Sequence, residues 1–291
     1  MAKTLLYTIF ALIAFSFNSI LCRLALRGDT IDAASFTGVR LASGVVSLIL
    51  IGVAVQLFRK KEDARKSGLL KHGSWTSAVY LFAYAICFSL AYINLTAGTG
   101  ALILFGSVQM TMMIVTLLRG EWPRLLELLG LVVAIAGFVY LVLPGVTSPP
   151  ISSSLLMAAA GMSWGMYTLR GRGSSDPLAD TTGNFIRTIP FAAIAVLLFV
   201  PNLHLSNRGM LFAILSGAVA SGIGYTVWYA ALKHLTSTRA AVLQLAVPIL
   251  TATVGALFLG EDWTTRLLIS AALILGGIAI TIFGRNTISR F

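Results

Sequence analysis

Long apolar runs alternate with short polar connections along the whole chain. The runs predict ten helices, at roughly residues 4–26, 33–58, 74–96, 99–118, 125–143, 152–170, 179–200, 209–232, 238–259 and 265–283. A helix of about 20 residues crosses a hydrocarbon core about 30 Å thick, and each run approaches or exceeds that length. The connections at 59–73 and 171–178 are polar, whereas Leu95 to Gly98 and Pro144 to Ser154 hold turn residues and no charge. Spans three and four are so close that they also read as one long segment. The eighth and ninth spans, joined at Lys233 to Arg239, organise the rest. The eighth mixes aromatics with glycines, and the ninth carries Gln244 and then Pro248 at its centre. Interrupted or closely packed backbone at membrane depth is tolerated only beside protein or a water-filled cavity.

Composition turns this pattern into a class. Hydrophobic residues make up 57% of the chain and charged residues 11%, against about 25% charged in soluble domains. The mean hydropathy is +0.90. The expectation is an all-α polytopic membrane protein with no soluble domain between its spans. The net charge of +11 lies in short loops, as the positive-inside rule describes, which excludes a nucleic-acid face. Of the 21 Lys and Arg residues, 15 fall on the side of the N-terminus and four (Arg23, Arg27, Arg208 and Arg266) on the other. Both termini are therefore expected in the cytoplasm. Cys22 and Cys87 lie within spans and read as packing residues. Residues 4–26 exceed a signal-peptide core and read as the first span.

The chain also resembles itself. A shift of 147 superposes Ser16 on Ser163, Arg23 on Arg170 and Arg40 on Arg187. A shift of 140 superposes Ala101 on Ala241, Thr111 on Thr251, Gly120 and Glu121 on Gly260 and Glu261, and Gly137 on Gly277. Five spans per half is odd, so the second half enters the membrane from the opposite side. Residues 1–145 and 146–291 are expected to form inverted five-helix repeats around a central cavity, with substrate at their interface.

The run WYAALKHLTSTRAAVLQLAVPILTATVGALFLGE resembles the EamA domain of the drug/metabolite transporter superfamily, through Trp228, Tyr229, Ala230, Leu232, Ala240, Ala241, Pro248, Gly260 and Glu261. The first half echoes it through Gly120, Glu121 and Arg40. Val108 stands where the second copy has Pro248, so only the ninth span is expected to be kinked, with Pro248 as a hinge. The resemblance implies two tandem copies and a transporter rather than an enzyme, in a bacterial inner membrane. The aromatic residues along the spans are similar to those of aromatic amino-acid exporters of the YddG type.

The candidate chemistry is sparse. All ten acids sit at span ends or in loops, so a dedicated proton- or cation-coupling carboxylate in the cavity is not expected. There is no phosphate-binding GxxxxGK[ST] loop and no metal-ligand cluster, since His72, His204 and His234 are peripheral. No cofactor is expected. Arg40 and Arg187 fall within spans; either they hold a substrate carboxylate, or they pair with helix-end groups by snorkelling outward, which is the favoured reading.

Aromatic and neutral polar residues supply the candidate site. Tyr80 and Tyr84, with Phe88, stack on one face of span three. Trp164 and Tyr167 share a face of span six. Tyr225, Trp228 and Tyr229 do so in span eight, behind Gly217, Ser221, Gly222 and Gly224. Asn18, Gln109 and Gln244 are mid-span polar residues, each open to an interhelical hydrogen-bonding role instead. Gln244 has an added argument, because Pro248 cannot donate to its carbonyl.

These readings converge on a transporter whose cavity, lined by spans one, three, four, six, eight and nine, is neutral and ring-lined. Such a pocket suits a small zwitterion with an apolar side chain. The expected activity is export of amino acids, aromatic or hydrophobic, or related small metabolites by alternating access. The partners are that small-molecule substrate and the lipid bilayer, with no oligomer required. The alternatives are a proton-coupled exporter of drugs or organic cations and a non-transporting membrane scaffold.

Overall fold

A computed structural model describes residues 2–58, 72–118, 125–145, 147–171, 174–199, 203–232, 234–235 and 243–286. The first five helices are α1 (Ala2–Arg27), α2 (Ala33–Phe58), α3 (Trp75–Tyr92), α4 (Ala97–Leu118) and α5 (Leu125–Val142). They are followed by α6 (Ile151–Gly171) and α7 (Pro177–Leu198). The next helix, α8, runs continuously from Asn207–Ile214 through a π-helical segment, Leu215–Ile223, into Gly224–Leu232. The last two are α9 (Ala246–Leu259) and α10 (Thr265–Asn286). Eight of these are long and apolar enough to cross a membrane. Of the other two, α6 carries several serines, and α9 is a shorter apolar helix. The chain is a polytopic helical membrane protein.

Local chemistry sets the boundaries. Ser74, Asp176 and Ser206 cap α3, α7 and α8 by accepting the N–H of Ser77, Ala179 and Gly209. Pro177 follows Asp176 at the first turn of α7, where its missing N–H costs nothing. Gly260 ends α9 at φ +61°, a left-handed conformation that glycine adopts freely. Spans three and four are separate helices, because the chain turns after Tyr92 and the N–H groups of Asn94 and Leu95 fold back onto the Ala91 carbonyl. The ninth span is described from Leu243, and its N-terminal residues lie outside the described residues. The helical hydrogen-bond pattern lapses at Leu245, one residue past Gln244 and three before Pro248, while its backbone stays right-handed (φ −64°, ψ −17°). A second proline, Pro190, lies inside α7.

Helix neighbours repeat when the halves are exchanged. α6 packs on α3 and α4 as α1 packs on α8 and α9, and α2 packs on α8 as α7 packs on α3. Three pairs map onto themselves: α2 with α7, α4 with α9, and α5 with α10. Gly130 and Gly277 bring α5 and α10 together, since a Cβ on either would sit 2.5 Å from the other's carbonyl oxygen.

The connections follow the same exchange. Thr30 to Asp32 pair with His204 to Ser206: Ile31 bridges Leu205, and Asp32 exchanges bonds of 3.0 Å with the His204 backbone. In the other half, Asp180 accepts from Gly73 (3.1 Å), Asn184 accepts from Ser74 (2.8 Å), and Arg187 donates to the His72 carbonyl (2.6 Å). The entrance to α8 is thus fastened to α2, and the entrance to α3 to α7.

Candidate functional site

Where α1, α3, α4, α6 and α8 meet, Phe15, Asn18, Ser19, Tyr84, Phe88, Leu104, Phe105, Trp164 and Tyr225 enclose a small cavity. Its free volume is about 20 Å³, room for about one water molecule. Trp164 is its centrepiece. The indole stands 4.9 Å, centroid to centroid, from both Tyr84 and Tyr225, tilted 46° and 44° to them. Phe88 extends the wall at 5.4 Å from Tyr84, and Phe15 stands edge-on to Tyr225 at 5.9 Å. Ring pairs of this kind contribute about 0.5–1.5 kcal/mol each beyond the area they bury. One indole on α6 therefore joins α3 and α8 across the interface between the halves.

A hydrogen-bonded chain runs behind the rings. Ser216, in the π-helical segment of α8, donates to Asn18 Oδ1 (2.5 Å), and Asn18 Nδ2 donates to the Tyr84 hydroxyl oxygen (3.3 Å). Arg40 Nη2 donates to that same oxygen (3.0 Å). Both lone pairs of the Tyr84 oxygen are then engaged, and its O–H faces the Tyr225 hydroxyl, with which it shares a hydrogen bond. Gly217 makes this register possible: a Cβ there would fall 2.0 Å from the Arg40 carbonyl oxygen, so any larger residue would push α8 away from α2. A π-helical segment inside an α-helix is uncommon and concentrates at functional sites.

Of the nine sequence-derived candidates, Asn18, Tyr84, Trp164 and Tyr225 line the cavity, and the other five do not. Trp228 is buried one layer behind, edge-on to Phe15 at 5.7 Å. Tyr80 and Tyr229 are partly buried against the core, with the Tyr229 hydroxyl beside Gly171 at the end of α6. Gln109 has a buried Nε2 that meets no acceptor among the described residues. Gln244 is buried at the interruption of the ninth span. Among the described residues, none of the ninth span lines this cavity, which departs from the expected wall; α9 packs on α1 and α4.

Arg40 is a second correction. It does not snorkel outward. Its side chain is 2% exposed and turns inward, the guanidinium carbon lying 4.9 Å from the Phe88 centroid and 5.2 Å from that of Tyr84. The cavity is ring-lined and has no acid in its wall among the described residues, but with this cation behind it the surroundings are not neutral.

One end of the helix assembly is sealed by charge. Arg23 Nε meets Glu261 Oε1 at 3.1 Å, and Arg23 Nη1 donates to the carbonyls of Tyr92 and Ile93 at 3.0 and 2.8 Å. Glu261 Oε2 accepts from the Ala97 N–H (2.7 Å) at the positive end of α4. Arg170, the counterpart of Arg23 at the other end, is exposed and donates to Ser77 Oγ at 3.2 Å. Glu121, the counterpart of Glu261, lies outside the described residues.

Comparison with known proteins adds the family. An uncharacterized protein of Pseudomonas aeruginosa is 48% identical over 283 residues, 97% of this chain and 96% of that protein. The model of the EamA-like transporter family matches residues 151–283. The chain belongs to the EamA-like transporter family. This transporter is also similar to a probable amino-acid metabolite efflux pump of Salmonella typhimurium, 27% identical over 69% of this chain and 72% of that protein. A crystal structure at 19% identity matches 99% of both chains with a TM-score of 0.67, a likeness of fold. The chain is thus a membrane transporter and not an enzyme. Several parts of this transporter's site escaped the sequence reading: Phe15, Ser19, Leu104, Phe105, Ser216 and the inward turn of Arg40. The spacing of Phe15, Asn18 and Ser19 marks one face of α1, and was the available signal.

Proposed function

We propose that this transporter exports amino acids, aromatic or hydrophobic, and related small metabolites across the bacterial inner membrane by alternating access. The observation that carries the reading is the ring-walled cavity at the interface between the halves, with Trp164 held between Tyr84 and Tyr225. Rings bury an apolar side chain, and the hydroxyl and amide groups of Tyr84, Asn18 and Ser19 serve its polar end. The efflux-pump name of the Salmonella relative supports the same substrate class. Among the described residues the cavity wall holds no acid, which supports transport without a dedicated proton-exchanging carboxylate. A cation exporter fits less well, since Arg40 stands behind the wall.

In this reading residues 1–145 and 146–291 are the two inverted halves, both termini are cytoplasmic, and Pro248 is a hinge. The Arg23–Glu261 seal closes the outer end in the present state. Asn18, Tyr84, Trp164 and Tyr225 contact substrate, whereas Gln244, Gln109, Tyr80, Trp228 and Tyr229 act from behind or beside the wall as the chamber opens. The test is counterflow in liposomes holding the purified full chain. Labelled phenylalanine, tryptophan or methionine is expected to accumulate against unlabelled substrate inside, with little response to an imposed pH gradient. No movement of any labelled amino acid would overturn the substrate class.

A further inference from the structure

The buried and half-buried arginines Arg23, Arg187 and Arg266 have company, and Arg40 is the exception. Arg23 meets a glutamate and two carbonyls. Arg187 donates to the carbonyls of His72 and Gly183, and Arg266 to those of Tyr140, Leu141 and Leu143. Arg40 is more deeply buried than Arg23, yet it forms no ion pair among the described residues, and its Nη1 meets no acceptor there. A guanidinium offers five N–H donors, and here the protein engages one nitrogen, through the Tyr84 hydroxyl. Cation–π contact with Tyr84 and Phe88 offsets part of the desolvation. A charge at such depth with no counter-ion among the described residues marks a functional site.

The geometry also says what is missing. Tyr84 and Phe88 both line the cavity, so Arg40 stands one ring's thickness behind its wall. Its positive charge is directed through the Tyr84 oxygen, and the Tyr84 hydroxyl in turn pairs with that of Tyr225, a second residue of the cavity wall. An anionic oxygen in the cavity would complete this arrangement, accepting from the paired hydroxyls of Tyr84 and Tyr225 and offsetting the Arg40 charge. An ammonium would meet a cation and no acid.

We propose that Arg40, acting with the Tyr84 hydroxyl, is the carboxylate anchor of the cavity. The site thereby takes apolar monocarboxylates as a class, and the α-amino group of an amino acid is dispensable. This inference rests on the amino-acid export reading for the location of the site and goes beyond it in naming the recognised group.

The experiment measures binding by thermal unfolding of the full chain purified in detergent. The probes are phenylalanine, 3-phenylpropionate (carboxylate, no amine) and phenethylamine (amine, no carboxylate). Phenylalanine and 3-phenylpropionate are expected to bind with affinities within about tenfold of each other, and phenethylamine at least about tenfold more weakly than either. Arg40→Gln is expected to abolish the difference between 3-phenylpropionate and phenethylamine. Tyr84→Phe, which keeps the ring and its cation–π contact with Arg40 but removes the hydroxyl that accepts from it, is expected to weaken both carboxylates about three- to tenfold; it tests the same anchor should R40Q fail to fold. Equal binding of phenethylamine and 3-phenylpropionate by the wild type would overturn the proposal, as would an unchanged preference in both variants. Carboxylate binding by a protein that moves no amino acid in liposomes would overturn the export reading and keep the anchor. Amino-acid transport without carboxylate preference would do the reverse.

Discussion

Arg40 and Arg187 occupy equivalent positions in the two halves, on α2 and α7, and have opposite fates. Arg187 turns to the end of its helix, where the carbonyls of His72 (2.6 Å) and Gly183 (2.9 Å) receive it. It fastens the entrance of α3. Arg40 turns inward, to the rings of Tyr84 and Phe88 and the hydroxyl of Tyr84. Two halves with one helix arrangement thus place one arginine in the scaffold and the other behind the chamber. The difference teaches that the repeat sets where a charged residue enters the helix, while its neighbours decide which way it faces.

The sharpest way to break this contrast is to force α8 away from Arg40. Gly217→Val puts a side chain where even a Cβ lies 2.0 Å from the Arg40 carbonyl. Overpacking of this kind costs about 1–3 kcal/mol or more. A marked fall in folded protein extracted from membranes is expected, read by fluorescence size-exclusion chromatography.

Arg40→Gln and Arg187→Gln then separate function from scaffold. R40Q removes a buried charge that has no counter-ion among the described residues, so its unfolding temperature is expected to hold or rise, while its affinity for phenylalanine falls by about tenfold or more. R187Q is expected to lose about 1–3 kcal/mol of stability through its abandoned carbonyls and to keep the carboxylate preference. Unfolding curves and binding titrations on the same preparations check both.

Trp164→Ala sharpens the comparison from the side of the ring wall. It removes the indole between Tyr84 and Tyr225. Affinity for phenylalanine is expected to drop by about tenfold, with little change for alanine, as competition assays would show.

The smallest effect concerns the two fastened connections. Burial alone would raise the Asp32 carboxyl, but the Ser35 side chain and the backbone N–H groups of Ser35, His204 and Ala34 outweigh it and hold Asp32 below the usual carboxylate range. A lowered folded value confers stability that is complete above the unfolded value, about 3.9, and is lost as pH falls through the folded one. Asp32→Asn is expected to be less stable than wild type at pH 7, with the difference shrinking below about pH 4. Unfolding midpoints across pH 3 to 7 test this.

Hydropathy made most of the helices legible, because the bilayer imposes length and apolarity together. The break near Gln244 was legible too, since Pro248 lacks an N–H wherever it sits. The π-helical segment Leu215–Ile223 was not, because an apolar window carries no information about hydrogen-bond register. Its small residues Gly217, Ser221 and Gly222 hinted only at close packing. Gln109 and Gln244 drew attention as polar residues at depth, yet neither lines the cavity. Periodicity gives a residue's face without saying which helix that face meets. Arg40 shows the same limit. Its partners lie 44 and 48 positions away on α3, and only the packing of α2 against α3 reveals them.

The central claim is that substrate occupies the Trp164 chamber with its carboxylate toward Tyr84 and Arg40. A structure of the full-length protein with phenylalanine bound tests this most directly. The expected result is an enlarged cavity holding the substrate ring against Trp164, Tyr84 and Tyr225, with the carboxylate at the Tyr84 hydroxyl. Phenylalanine bound elsewhere, or lying in the chamber with its ammonium toward Arg40, would contradict it.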